Sequence, residues 1–563
     1  MQWCVANTLE KVKAEQLAEA LSVPQIIANI LVNRGVETYD QARLFFSPDW
    51  DDLHDPYLMQ DMAKAVQRIL DALRNNERIF IYGDYDVDGI TSVSLITLFL
   101  RSQGGNVVYY IPDRIKEGYG LSELGIDQAI KSGATLLITV DCGITAVDEV
   151  NMAMEKGIDV IVSDHHEPAW EIPNAVAILD PKREGCMYPF KQLAGVGVAY
   201  KLIQAIGIKL GLPDEDIRMY IDLVALGSAA DIVPMIDENR VLVHKGLEKL
   251  NRLDRVGIHA LVESSGLLGK KIGTGQVIFI LAPRINAVGR MGDAERAVKL
   301  LITNSYQQAR EIAGILEIEN KQRKSIDEET YQEAVGMIES VLDYDKSLTV
   351  VLSKEGWHPG VIGIVASRIV EKIYRPTIMI AVEDGMGKGS ARSISNFDIH
   401  AALKECEEHL LGYGGHRYAA GLTIALDKIG PFKEMFEKVA SKVLMKEDLI
   451  QKIYIDAEIQ LTDITDKLIR LLNRFSPFGP QNMRPVFMSR NLKVIGSPRI
   501  VGRNHLKFKV QQGNDVFDAI GFDLGDLYYR LRPGESSLDM VYVIEENHYN
   551  GQVRKQLRAK DLR

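Results

Sequence analysis

The heptapeptide GDYDVDG, Gly83 to Gly89, sets aspartates at 84, 86 and 88 and closes on glycine. Like charges this close repel, and burial deepens the repulsion, so a divalent cation belongs among them. D-x-D-x-D-G also opens an EF-hand calcium loop, but position 12 there is a bidentate Glu and here it is Leu95. The preceding RIFIY, Arg78 to Tyr82, reads as a buried strand rather than an entering helix. The carboxylates therefore stand where a strand ends and a helix over about 90–101 begins, with a chance acidic turn as the alternative. A second concentration is DHH, Asp164 to His166. Imidazole beside carboxylate suits Mn, Fe, Zn or Mg-class ions. Asp231 interrupts the apolar LVALGSAADIVPM and needs a partner if buried, which a shared metal supplies; a helix cap is the other reading. Asp141, alone after TLLITV, is placed to bridge two metals. Two ions ~3.5–4 Å apart would drive in-line attack of an activated water at phosphorus.

The elements that must position these groups repeat a pattern of short Val/Ile-rich run and acidic loop. RIFIYGDYDVDG, NVVYYIPDRIKEGYG, ATLLITVDCG, GIDVIVSDHHEP and NAVAILDP are separated by helical patterns, the signature of a mostly parallel sheet. Parallel strands bring Asp84, Asp86, Asp88, Asp113, Asp141, Asp164 and Asp180 to one edge. Residues 1–50 form a helical lead-in, 51–300 the catalytic α/β domain, and 301–345 a helical connector. A second α/β unit covers 346–445. Evenly spaced strands over 450–563 predict a small antiparallel, OB-like barrel.

The composition, 46% hydrophobic and 25% charged, is that of a globular chain, and no segment has the apolar length of a membrane helix. The N-terminus lacks signal-peptide regions, and four scattered cysteines without a CxxC fit a reducing cytoplasm. Net charge is −11, mildly adverse to nucleic-acid binding, but Arg484 to Arg563 holds 14 basic against 9 acidic residues. GMGKGS has the wrong spacing for a phosphate-binding P-loop, and GVGVAY lacks the third glycine of a dinucleotide fingerprint.

GDYDVDG, VDCG, SDHH and GSAADIVP, in that order, resemble the DHH phosphoesterase superfamily. YIPDRIKEGYGL, LAPRINAVGRMGDA, EGWHPGVIGIVASRI, GYGGHRYAAG and FSPFGPQNMRPVF narrow the resemblance to the RecJ family of single-stranded-DNA-specific exonucleases. That resemblance implies a 5′→3′ exonuclease using two Mn²⁺ or Mg²⁺ ions in recombination and repair. It implies metal ligation by Asp86, Asp88, Asp141, His165 and Asp231, with Asp141 bridging and Asp84 as ligand or support. His166 would contact the scissile phosphate. It further implies a DHH-associated substrate domain, an OB-fold tail, and a single-stranded-DNA-binding protein and a RecQ-type helicase as partners; the size of the barrel-like tail suits a monomer. Tyr82 departs from the family, many members of which carry a His ligand there, and implies fewer protein ligands for one metal, or Asp84 or water in that place.

Candidate DNA contacts lie in several segments. Ser390 and Arg392 in SARS are two apart on an extended segment and can share one phosphate; an incidental surface strand is the alternative. Gly414, Gly415 and His416 allow backbone approach to a ligand, or make a tight turn. Arg284 and Arg290 around Asn286 suit a backbone-binding groove, or a solvated helix face. Arg114 and Tyr119 could clamp a terminal phosphate and stack a base. Arg368 joins the substrate-binding set through the family motif. A smaller phosphoesterase acting on oligoribonucleotides or cyclic dinucleotides, and a non-catalytic scaffold, are the competing functions. The tail domain counts against the first and the nearly full ligand set against the second.

Overall fold

The computed structural model describes residues 1–563 except 8, 9, 115, 119, 292, 342, 344, 345, 535, 550 and 551. Two compact units are formed. One comprises Ile315–Ile453 with Met1–Gln2 and Arg290–Gly292; the other holds Trp3–Gly289, Asp293–Gly314 and Tyr454–Arg563.

In the larger unit, five strands lie side by side: β1 (Arg78–Gly83), β2 (Asn106–Tyr110), β3 (Leu136–Val140), β4 (Asp159–Ser163) and β5 (Ala177–Leu179). The order is β2-β1-β3-β4-β5 and every pairing is parallel. The register aligns Gly83 with Val140, Val140 with Ser163, and Ser163 with Leu179. The next residue in each chain segment is an aspartate, so Asp84, Asp141, Asp164 and Asp180 form a row along the C-terminal edge. Helix α1 (Val87–Ser102) starts three residues before the expected position because Asp86 caps it, accepting from the amides of Asp88 (2.9 Å) and Gly89 (3.2 Å). Almost all of α1 is buried. Its Thr91, Ser92 and Ser94 hydroxyls donate to carbonyls in the preceding turn, which satisfies them inside the core. Helices α2 (Gly195–Leu210) and α3 (Ile221–Ala230) pack on α1. A π-helical turn, Val277–Leu281, runs directly into α4 (Ala282–Met291).

Helix α5 (Tyr306–Val341) begins in the larger unit and continues into the smaller, where it leads to β6 (Val350–Glu355), α6 (Ile362–Ile373), β7 (Thr377–Glu383), β8 (Met386–Arg392), β9 (Gly412–His416) and β10 (Ala419–Ala425). The strand order is β9-β10-β8-β7-β6, parallel between β6 and β7 and antiparallel elsewhere. Phe432, Phe436, Ile378 and Ala420 belong to the core on one face of this sheet.

The tail, part of the larger unit, closes into a barrel of β11 (Phe487–Val501), β12 (His505–Gln512), β13 (Asp515–Gly521), β14 (Ser536–Tyr549) and β15 (Gln552–Leu562). The order is β11-β12-β13-β15-β14, with β14 returning to β11. The expected barrel is present, but it is not wholly antiparallel: β13 and β15 run parallel, since the chain crosses the barrel before its last hairpin. KIYIDAEI contributes short strands outside the closed ring. The lead-in helices Lys11–Leu21, Gln25–Asn33 and Tyr39–Phe46 share one hydrophobic core with this barrel, from Ala14 and Phe45 to Phe487 and Leu562. Arg240 reinforces that core. Its buried guanidinium lies over the Phe45 ring at 3.9 Å and donates to the carbonyls of Phe45 and Phe475. Among the described residues, no helix is long and apolar enough to cross a membrane.

Candidate active site

Of the row of strand-end aspartates, Asp84 and Asp141 enter groups able to hold a cation, whereas Asp164 and Asp180, with Asp113 of the expected set, enter none among the described residues. Donor atoms of Asp84, Asp86 and Asp141 lie within 4.8 Å of one another, as do those of Asp88, His165 and Asp231, and those of Asp141, His165 and His166. Asp141 and His165 each belong to two groups, which makes them the link between two cation positions. His165 Nε2 is 3.0 Å from Asp141 Oδ1 and 3.8 Å from both Asp88 Oδ2 and Asp231 Oδ2. Asp84 Oδ1, Asp141 Oδ1 and His165 Nε2 are buried, and none makes a hydrogen bond. Orphaned buried carboxylates are costly unless something positive reaches them. A donor set of carboxylate oxygens with one imidazole fits Mn²⁺ or Mg²⁺.

The electrostatics agree. Burial, then the neighbouring Asp86 charge, pushes the Asp84 carboxyl well above the usual range, and Asp88 up to about 7. Burial and the Asp88 charge do the same to Asp141, and Asp231 follows from burial and Asp88. Burial, with the positive His166 alongside, lowers His165 to about 3, keeping it the neutral imidazole that a metal requires. Burial opposes the charge on His166, but the Asp164 hydrogen bond and charge win and raise it to about 9.

Several backbone features hold these groups. Asp88 accepts from the amides of Gly195 (2.7 Å) and Val196 (2.8 Å), the first turn of α2. A Cβ on Gly195 would stand 2.6 Å from Asp141 Oδ1, and one on Gly89 would stand 2.3 Å from the Asp84 carbonyl oxygen. Asp141 itself has φ 61°, a left-handed conformation that a non-glycine residue adopts at a cost and that turns its side chain at the strand end. Asp164 serves as a hub: it accepts from the amides of Ile144 (2.9 Å) and His165 (2.7 Å), and His166 Nδ1 lies 2.7 Å from Asp164 Oδ1. Tyr82 is not a ligand. Its hydroxyl donates to the Gly120 carbonyl at 2.8 Å, and its ring packs with Phe80, Leu121 and Ile126.

Arg114 stacks over the Tyr85 ring at 5.1 Å and its charge acts on Asp84. Tyr119 lies outside the described residues. Asn286 turns inward: its Oδ1 accepts from the Val87 amide at 3.1 Å, fixing the start of α1. Arg284 is buried and donates to the Ile280 carbonyl. Arg290 donates to the Gly360 carbonyl at 2.8 Å. Arg368 is held by Asp327 and Glu328, both at 3.1 Å, over the Tyr331 ring, an internal brace on α5.

The smaller unit gathers the remainder on one sheet face. Pairing sets Arg392 opposite Ala419, and Ala419 opposite His416; it sets Ser390 opposite Gly421, and Gly421 opposite Gly414. Directly opposed residues share a face, so His416, Arg392 and Ser390 surround a floor of glycines. Gly415, with φ 140°, belongs to the other face, where a Cβ would meet the Ala419 carbonyl oxygen at 2.5 Å. Arg392 donates to Ser390 Oγ at 3.1 Å, and Gly363 in the first turn of α6 lies against both side chains. A hydroxyl, a guanidinium and a helix N-terminus together suit a phosphate.

GVGVAY fails as a dinucleotide fingerprint, yet its glycines open α2 and bring the helix amides to Asp88. The signal was available: glycine pairs heading an apolar helix, after an acidic sheet edge.

Comparison with known proteins follows this division. Residues 78–228 match the DHH family, N-terminal domain, residues 345–442 the DHHA1 domain, and residues 455–561 the RecJ OB domain. The single-stranded-DNA-specific exonuclease RecJ of Bacillus subtilis (strain 168) is 40% identical over 567 residues, covering 100% of this chain and 70% of that protein. The crystal structure of RecJ in complex with Mn²⁺ from Thermus thermophilus superimposes with a TM-score of 0.85 at 28% identity, covering 100% of this chain and 79% of that one. The structure of RecJ in complex with Mg²⁺ from the same organism gives 0.79 at 27%, covering 100% and 78%.

Proposed function

Because the chain belongs to the RecJ family of single-stranded-DNA-specific exonucleases, we propose that it shortens single-stranded DNA from the 5′ end to mononucleotides, in recombination and repair. The observation that carries this is the convergence of orphaned buried donors at the strand ends, on Asp84, Asp141 and His165. Asp84, Asp86, Asp88, Asp141, His165 and Asp231 would hold two divalent cations, with Asp141 between them. Such ions, when bound, neutralise phosphate charge and acidify a water. The chain's own groups do the rest. Asp164 orients His166 beside Asp141, where the imidazole can donate to the charge growing on the scissile phosphate. Asn286 and the first turn of α2 hold the acidic loop in place. Arg114 is suited to a terminal phosphate, and Ser390, Arg392 and His416 to phosphates along the strand. A cytoplasmic monomer working with a single-stranded-DNA-binding protein and a RecQ-type helicase completes the reading.

The test uses single-stranded oligonucleotides labelled at either end, with Mn²⁺ and with EDTA. Metal-dependent release of mononucleotides from the 5′ end, with blunt duplex spared, is the expected result. Hydrolysis of dinucleotides without cleavage of longer DNA would replace this reading by the small-substrate phosphoesterase.

A further inference from the structure

The helical rod that touches the acidic loop also carries an aromatic ring the fold leaves uncovered. In the π-helical turn, Val277 and Leu281 are fully buried, while Phe279 between them is 76% exposed. Its neighbours Ile278 and Ile280 are half-buried. Scattered exposed apolar residues are ordinary on any protein. The placement of this one is not, because two independent contacts tie its segment to the active site. Helix α3, which ends immediately before Asp231, packs against the π turn. Downstream on the same rod, Asn286 accepts from the Val87 amide, and a Cβ on Gly289 would stand 2.7 Å from the Tyr85 carbonyl oxygen. At ~1.5 Å rise per residue, Phe279 stands about 10 Å along the axis from Asn286. π turns inserted in helices recur at functional sites, where the extra residue re-aims a side chain.

We propose that Phe279 is a stacking platform for one nucleobase of the substrate strand, a specificity-determining contact a few nucleotides from the scissile phosphate. The inference rests on the single-stranded-DNA reading above. Unpaired bases expose their faces, whereas paired bases bury them in the stack, so a fixed ring on the rod that contacts the acidic loop favours a single strand. Stacking of this kind tolerates any base, as an exonuclease requires. The ring stands on a helix packed at both ends, so little order has to be gained when the strand arrives.

The test is an abasic scan with the Mn²⁺-loaded enzyme. Oligonucleotides carrying one abasic residue at successive positions are compared by kcat/KM in the wild type and in Phe279→Ala. The wild type is expected to lose about tenfold at one position, near the lower part of the range for base stacking on an aromatic side chain. Phe279→Ala should show a similar loss on intact DNA, through KM with kcat unchanged, and no further loss at that position. Phe279→Tyr should restore the wild-type pattern. In Phe279→Trp, single-stranded DNA added in EDTA should quench the new fluorescence. An unchanged KM in Phe279→Ala, or the same abasic pattern in both proteins, overturns the proposal while leaving the exonuclease reading intact. Failure of the wild type to degrade single-stranded DNA overturns both.

Discussion

Lys201 and Glu238 are fully buried, as Asp141 and His165 nearly are, but only the first pair has its charge answered by the chain itself. Lys201 Nζ donates to Glu238 Oε1 at 2.7 Å and to the His54 carbonyl at 2.6 Å; the His54 amide and the Tyr188 hydroxyl donate to the same carboxylate. At the strand ends, carboxylates face one another across a neutral imidazole, and Asp84 Oδ1, Asp141 Oδ1 and His165 Nε2 are left over. One cluster is a finished internal salt bridge. The other is finished only by ions from solution. Buried charge alone therefore does not mark a metal site; here the mark is several unsatisfied donors of ligand type gathered in one place.

The contrast can be broken by mutation. Asp141→Asn should lower kcat by at least about 10³-fold, the scale of losing a preorganised group that stabilises transition-state charge. It should also leave the metal-free protein as stable as before or more so, since a repelling charge is removed; activity assays and thermal melts in EDTA read the two effects. Glu238→Ala should do the opposite to stability. It leaves Lys201 buried without its counter-charge and should cost about 3–5 kcal/mol in denaturant unfolding. If both substitutions destabilise equally, the distinction between the clusters fails.

Metal should act on one cluster alone. Mn²⁺ at about 100 times its dissociation constant should stabilise the wild type by ~2.7 kcal/mol per site, and Asp141→Asn by much less. The pH dependence sharpens this. Asp88 and Asp180 are raised to about 7 by burial, and Asp84, Asp141 and Asp231 are raised as well. Between pH 4 and about 7 the metal-free folded protein therefore holds more protons at these carboxyls than the unfolded chain, and its stability falls as pH rises. His166, raised to about 9, extends the fall to higher pH; His165, lowered to about 3, opposes it in the acid part of the window. Melting in EDTA across pH 5–8 should show a net decline, and saturating Mn²⁺ should flatten it. The smallest effect is at Asn286→Ala: losing one hydrogen bond to Val87 should cost about 1 kcal/mol, read as Mn²⁺ affinity weakened about fivefold.

The catalytic sheet was legible because its strands are short, apolar and parallel, so sequence position translates directly into position at one edge. Asp84, Asp86, Asp88, Asp141 and His165 come together for that reason, and Asp231 joins them from the end of α3. Residues whose roles depend on tertiary neighbours were not legible. Asn286 looks like a groove residue until α4 is seen to lie on the acidic loop, and Arg368 looks like a phosphate reader until Asp327 and Glu328 are found beside it. Tyr82, where the family resemblance leads one to expect a histidine, belongs to the hydrophobic core with Ile126. Nothing in the local pattern of residues 14–45 announces that their partners lie more than four hundred residues downstream.

That last pairing bears on how the protein is made. Contacts so distant in sequence cannot form until the barrel strands have left the ribosome, and long loop closures slow folding. The five-stranded sheet of β1–β5 needs only a local stretch of chain and can assemble during synthesis. The lead-in helices must wait with Ile27, Leu31 and Phe45 uncovered until their partners arrive. Those helices are thus the segment a nascent-chain chaperone would shield for longest.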